Sequence, residues 1–152
     1  MPIKILAVGK KHEPWVLGGI ERYEKRLQKP FDTNWMLIPH SAKNGDTARQ
    51  DESERILLRL KDDEFVILLD ERGKLLDSPA LSQALLVPIE SGKSVTIIIG
   101  GAYGVDKRVH QRAALVWSLS PLVFPHQLVR LILSEQLYRA QEISAGRPYH
   151  HV

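Results

Sequence analysis

Three short segments of this chain carry the residue types from which a ligand site is built. The first is Gly100-Gly101-Ala102-Tyr103-Gly104, directly after the apolar run Val95 to Ile99. Glycine has no side chain and tolerates positive φ, so such a loop can bring main-chain groups close to a bound molecule. The spacing is neither the G-x-G-x-x-G of a dinucleotide site nor a Walker loop with its lysine and Ser/Thr. A tight strand-to-helix turn needs the same glycines, and both roles stay open. The second segment, Leu119-Ser120-Pro121-Leu122-Val123-Phe124, is a largely apolar connection. It must either pack inside the protein or line an apolar pocket. It runs into Pro125-His126, which places His126 in the first turn of a helix. The positive end of the dipole disfavours imidazolium there. A neutral imidazole can accept a proton or donate a hydrogen bond, or it can serve packing alone. The third segment is the charged stretch Asp70-Glu71-Arg72-Gly73-Lys74, after Phe65 to Leu69.

These segments need a frame that brings them together. Ile3 to Val8, Trp35 to Ile38, Phe65 to Leu69, Val95 to Ile99 and Leu115 to Trp117 read as strands. The third is apolar throughout, as a strand buried on both faces is, and the fourth also reads as buried. Helices fit between them. Pro14 opens one that ends before Pro30, with Val16, Ile20, Tyr23 and Leu27 at helical spacing. Thr47-Ala48-Arg49-Gln50 reads as a capping box opening a helix to about Leu60. Ser78-Pro79 starts a helix to about Ile89, Asp106 caps one to about Arg112, and Pro125 opens the last, to about Ala145. Alternating strands and helices give an α/β fold, a mostly parallel sheet covered on both faces, in one domain over residues 1–152. Ligands in such sheets bind beyond the carboxyl ends of the strands, where all three segments fall.

Composition narrows the chemistry. The 152 residues include no cysteine, which excludes disulfides, thiolate catalysis and cysteine-ligated zinc. No apolar run reaches the ~18 residues of a membrane span, and a cytoplasmic protein is the simplest reading. No His/carboxylate spacing suggests a metal site, since His150 and His151 are adjacent and diverge. The net charge of +3 is by itself only a solvated basic surface. The last helix carries more apolar residues than one face needs, Leu128, Leu131 and Ile132 among them, so part of it is expected to meet a second subunit. His126 and Arg130 share a face of that helix, and Glu135 and Arg139 are spaced to pair. The tail Arg147-Pro148-Tyr149-His150-His151 combines cations with an aromatic ring, which suits RNA phosphates and a stacked base; a disordered terminus is the plainer alternative.

A set of pieces in fixed order resembles one family. They are Ile3 to Lys10, Leu69-Asp70-Glu71-Arg72-Gly73-Lys74, Ile99-Gly100-Gly101-Ala102-Tyr103-Gly104, Trp117-Ser118-Leu119-Ser120, Phe124-Pro125-His126, Arg130-Leu131, Glu135 to Ala140 and Pro148-Tyr149-His150. The chain resembles the RlmH family, bacterial methyltransferases of the SPOUT class that act on a pseudouridine of 23S rRNA. That resemblance implies a C-terminal trefoil knot, S-adenosyl-L-methionine (AdoMet) as methyl donor, and a homodimer with rRNA approaching across the subunit boundary. The substrate would be 23S rRNA in the large subunit or the assembled ribosome, with no metal and no membrane. The donor contacts carried over are Leu69, Gly100, Leu119, Ser120, Pro121, Leu122, Val123 and Phe124. Many relatives have Thr where this chain has Val123, which puts a side-chain hydrogen bond there in doubt but not the pocket.

The implied reaction methylates N3 of the pseudouridine. His126 is the candidate for proton handling, Arg130 and Arg139 for phosphate or imidate charge, and Tyr149 and His150 for closing the site from a partner subunit. All are expected to converge at one end of the last helix. The competing reading is a non-catalytic RNA- or ribosome-binding α/β protein, which would have no need of AdoMet. A nucleotide-binding regulator is disfavoured by the missing phosphate-loop motifs.

Overall fold

The computed structural model describes residues 1–151. Five strands, β1 (Ile3–Val8), β2 (Thr33–Ile38), β3 (Phe65–Leu75), β4 (Val95–Ile99) and β5 (Leu115–Ser118), form one sheet in the order β2-β1-β4-β3-β5. Every pairing is parallel. Five helices connect or follow them: α1 (Pro14–Glu24), α2 (Gly45–Leu57), α3 (Ser78–Glu90), α4 (Lys107–Arg112) and α5 (His126–Ser144). No helix among the described residues is long and apolar enough to cross a membrane.

Strand alternation divides the interior in two. Ile3, Ile5 and Ala7 of β1, Ile67 of β3 and Val95, Ile97 and Ile99 of β4 face α3 and α5, where they meet Leu81, Leu85, Leu133, Leu137 and Ala140. Leu6, Val8, Val66, Leu68 and Ile98 face the other way, onto Ile56 of α2 and Val109 of α4. Each side chain so buried contributes roughly 1.5–3 kcal/mol. Both faces are therefore apolar in every central strand, which is why β4 reads Val-Thr-Ile-Ile-Ile.

Two expectations need correction. α2 begins at Gly45 with Asn44 at its cap, and Thr47 lies inside the helix, so there is no capping box. The Ala48 N–H already bonds the Asn44 carbonyl at 3.3 Å, and Gly45 supplies the φ of +58° at which the chain enters the helix. β3 does not stop at Leu69. It pairs with β5 again at Lys74 and Leu75 after a register shift, so the charged stretch Asp70 to Lys74 is a bulge in an extended strand, not a loop. Helix α5 lies between α1 and α3, and Leu131 packs so tightly on Gly19 that a Cβ there would sit 2.6 Å from its Cδ1. Leu133, Leu137 and Ala140 of α5 are fully buried, while Leu128, Leu131, Ile132 and Ile143 keep part of their surface open to solvent.

The bulge depends on one glycine. A Cβ on Gly73 would stand 2.7 Å from the carbonyl carbon and oxygen of Val116, main-chain atoms that cannot yield without breaking the β3–β5 pairing. Gly73→Ala should therefore lower stability by about 2–3 kcal/mol. Gly18→Ala, in α1 with nothing within 4 Å of the new methyl, should raise it by about 0.5–1 kcal/mol. Urea unfolding of both variants checks the pair.

Candidate active site

The carboxyl ends of β3, β4 and β5 enclose a cavity of about 500 Å³. Leu69 closes the regular part of β3, Ile99 and Gly100 end β4, and Leu119 follows β5. Ser120, Leu122, Val123, Phe124, His126 and Val129 supply the remaining side of its wall. Of the eight donor contacts expected from the sequence, seven line this one cavity. The eighth, Pro121, is exposed and lies outside the lining. Leu122 and Val123 stand at 69% and 76% exposure, so the apolar rim faces solvent. The volume suits a small-molecule ligand, as does the mixture of apolar walls with main-chain polar groups.

The glycine loop is a tight turn closed by a Gly104 N–H to Gly101 carbonyl bond of 3.0 Å. The glycines thus serve a tight turn, and that turn lies in the cavity wall. α2 holds the loop from behind. Arg49 Nε donates to the Tyr103 carbonyl at 2.9 Å, and the Asp106 N–H donates to Ser53 Oγ at 2.9 Å. Glu52, 3% exposed, accepts from the Ser41 N–H at 2.9 Å through Oε2. Its Oε1 is buried with no hydrogen-bond partner among the described residues, a condition that costs ~1–3 kcal/mol for a polar group.

A second cavity, of about 810 Å³, lies across the same loop, between the ends of β1 and β4. These adjacent strands send their connections to opposite faces of the sheet, which is the switch point where ligands of open α/β sheets collect. His126 and Ala102 belong to the walls of both cavities. The switch-point cavity also takes in Lys10, Lys11, His12, Glu52 and Arg130.

His126 keeps a pKa below the ordinary 6.5. Burial is the main cause and the Arg130 charge adds to it, while the Gly100 backbone and the Glu52 charge work the other way. The neutral imidazole foreseen from the helix dipole is thus obtained chiefly by desolvation. Arg130 is 1% exposed. Its Nη1 donates to the Lys10 carbonyl at 2.8 Å and lies 3.3 Å from His12 Nδ1. It joins α5 to the β1–α1 loop, and burial lowers its pKa.

Arg139, Tyr149 and His150 are elsewhere. Nine residues of helix separate Arg130 from Arg139, about 13 Å along the axis. Arg139 pairs with Glu135 at 2.9 Å and reaches His150 Nδ1 at 3.1 Å. Tyr149 Oη donates to Glu135 Oε2 at 2.9 Å, and the Arg139 guanidinium lies 4.9 Å from the Tyr149 ring centroid. Burial and that acceptor push the Tyr149 phenol up to about 12. The expected convergence of all five residues at one end of α5 does not occur within this chain. The tail is folded back onto α5, with Arg147 on Glu142 at 2.6 Å, instead of presenting a free ring and cations. His150 and His151 line a separate groove with Asp77 and Gln136.

Sequence reasoning missed Glu52, Arg49 and His12. Glu52 and Arg49 lie in α2, whose charged sequence reads as a solvated helix, and nothing in their spacing marks a carboxylate turned inward.

With this geometry in place, the relatives can be set beside it. The family model for predicted SPOUT methyltransferases matches residues 1–150. The chain belongs to the SPOUT methyltransferase family. Two similar curated proteins, from Thioalkalivibrio sulfidiphilus and Desulfitobacterium hafniense, are 41% and 43% identical. Each match covers 99% of both chains, and each relative is named ribosomal RNA large subunit methyltransferase H. A solved structure of a probable methylase family protein from Haemophilus influenzae matches with a TM-score of 0.56 at 14% identity, over 99% of this chain and 70% of that one. At that identity the likeness speaks for the fold alone.

His126 and His12 share a consequence for stability. Both have folded-state pKa values below 6.5, His12 again chiefly through burial. Between those values and 6.5 the unfolded chain binds protons that the folded chain refuses, so stability falls as the pH drops. Thermal melts should show Tm declining as the pH is lowered from 7 toward 5, with His126→Gln flattening that part of the profile.

Proposed function

We propose that this protein transfers a methyl group from AdoMet to N3 of a pseudouridine in 23S ribosomal RNA of the large subunit. The observation that carries the reading is the single cavity into which Leu69, Gly100, Leu119, Ser120, Leu122, Val123 and Phe124 all project or abut. The relatives' shared name supplies the substrate class. The reading takes residues 1–152 as one methyltransferase domain working in the cytoplasm.

The residues present fit the donor. Leu69, Ile99, Leu119, Phe124 and Val129 offer the apolar surface an adenine ring needs, and the Gly100–Gly104 main chain offers polar groups free of intervening side chains. Asp70, Glu71 and Ser120 add side-chain partners for hydroxyl or ammonium groups. When bound, AdoMet supplies an electrophilic methyl group on a sulfonium centre. The apolar walls exclude water from that neighbourhood, and the glycine loop fixes the position of whatever lies on it, which is how orientation lowers a barrier.

The acceptor nitrogen is an imide and must lose its proton as the new bond forms. His126, held neutral by burial, has a ring nitrogen that can take that proton, and it stands in the cavity wall. Arg130, behind it, lends positive charge to the neighbourhood in which the imidate develops. Arg139, Tyr149 and His150 act, in this reading, from the second subunit of a homodimer. Their distance from His126 within one chain supports a role in trans over one in cis.

The trefoil knot belongs to the same reading. β5 lies at the sheet edge, yet α5 starts beside Gly100 at the end of β4 and is fastened to Lys10 at the end of β1. Such a path suits a chain threaded past the β3 bulge.

Calorimetry should register AdoMet binding to the purified protein, and a pure RNA-binding protein would give no heat. Single-turnover methylation of large-subunit RNA by His126→Ala should be slower by about 10²-fold or more, with AdoMet affinity within a few-fold of wild type. A wild-type rate in that variant overturns the role of His126. Mass spectrometry of rRNA from cells lacking the protein should show loss of one methyl group from a pseudouridine.

A further inference from the structure

We propose that Glu52 is a positioning residue for methyl transfer, holding the Gly100–Gly101 turn against the donor cavity and orienting His126 on its other side. This rests on the reading of that cavity as the donor site. The geometry comes from both ends of the carboxylate. Oε2 is fixed by the Ser41 N–H at 2.9 Å. Ser41 is itself buried, and its Oγ donates to Asp51 Oδ2 at 3.0 Å. Oε1 therefore has one direction left, and it points at Gly101. A Cβ on that residue would stand 2.5 Å from Oε1 and 3.2 Å from Val8 Cγ1. The turn can reach its observed place only because residue 101 has no side chain, and the carboxylate is what it rests on.

The other side of the turn meets α5. Gly100 and Gly101 line the donor cavity together with His126, and the Gly100 backbone and the Glu52 charge both favour the protonated form of that histidine. His126 Nδ1, like Glu52 Oε1, is buried without a hydrogen-bond partner among the described residues. Glu52 Oε1 thus meets the two-glycine turn from α2, and His126 stands against Gly100 from α5. Arg130 on its own helix and Glu52 from α2 bear on the His126 charge, while Arg49, Asp70, Glu71 and Arg72 share the donor-cavity wall with it and Lys10, Lys11, His12, Glu13 and Lys43 share the switch-point cavity.

Glu52 touches neither donor nor RNA. It acts through the turn and through the field at His126, so its removal should change how the site titrates as well as how it binds. The isosteric Glu52→Gln keeps the volume and an acceptor for the Ser41 N–H, but it removes the charge facing Gly101. We expect this variant to fold with the wild-type far-UV spectrum. The NMR titration midpoint of His126, followed in the protein without donor, should fall below that of wild type. AdoMet affinity by calorimetry should weaken by about tenfold. Gly101→Ala should weaken AdoMet binding more strongly, and combining it with Glu52→Ser should recover part of the loss by removing the atom the new methyl strikes.

The titration needs no AdoMet, so it tests the Glu52–His126 link even if the donor reading fails. Wild-type protein that binds no AdoMet overturns the donor site but not this link. A folded Glu52→Gln with an unmoved His126 midpoint overturns the orientation of His126. Unchanged AdoMet affinity in that variant, or no recovery in the Gly101→Ala/Glu52→Ser double variant, overturns the support of the turn. If Glu52→Gln fails to fold, Glu52→Asp takes its place. A shorter carboxylate withdrawn from Gly101 should retain most of the His126 midpoint and lose AdoMet affinity, and wild-type affinity there overturns the proposal.

Discussion

Helix α5 has to start over the ends of β4 and β1, although the strand that feeds it, β5, lies at the edge of the sheet beyond β3. The connection that makes this possible is Leu119 to Pro125, and the contacts that hold it are few. Arg130 gives a guanidinium N–H to the Lys10 carbonyl, the Glu13 N–H donates to Gln127 Oε1 at 3.0 Å, and His126 stands against Gly100. Burying an arginine whose partners are a carbonyl and an imidazole is costly, and the Glu13 charge works against that cost. That cost is borne at the point where three loops meet. Without the link between α5 and the β1–α1 loop, the first turn of α5 would have no reason to lie at the end of β4, and the cavity would lack one wall.

The position of α5 also decides which side chains can cooperate. His126 and Arg130, one turn apart, act on one another through desolvation and like charge. Glu135, Arg139, Tyr149 and His150 form a self-contained cluster farther along the helix, where each cation or hydroxyl already has a partner. The two groups share a helix without sharing a site. A single copy of the chain therefore presents a cavity at the ends of β3, β4 and β5 with an open apolar rim at Leu122 and Val123, and a tail whose polar groups are turned inward.

Helix α2 plays the opposite part to α5. Its sequence is strongly polar, and most of its charge lies in water, but three residues turn inward to carry the glycine loop. Arg49 and Ser53 do so through ordinary hydrogen bonds. Glu52 does so by placing a half-satisfied carboxylate where only a glycine can approach it. A buried polar group with an unfilled bond is a place where structure is kept for some use other than stability.

Much of this was legible beforehand. The five strands, the helix starts at Pro14, Asp106 and Pro125, and the clustering of Leu69, Gly100 and the Leu119–Phe124 segment follow from apolar runs, proline and capping chemistry, and the rule that parallel strands present one end to ligands. These are local properties or consequences of strand direction, so spacing along the chain determines them. Family likeness added the chemistry. The bulge at Gly73 was not legible, because its cause is a main-chain approach to Val116 more than forty residues away. The split between His126 and Tyr149 was not legible either, since it depends on the tail folding back onto Glu135. The sequence by itself thus determined the layers, the strand ends and the candidate donor residues. Only the tertiary structure decided that Arg130 is buried behind His126, that the glycine turn rests on Glu52, and that α5 lies between α1 and α3. Each of those facts is a contact between distant segments, and its strength lies in desolvation and fit that no single segment carries alone.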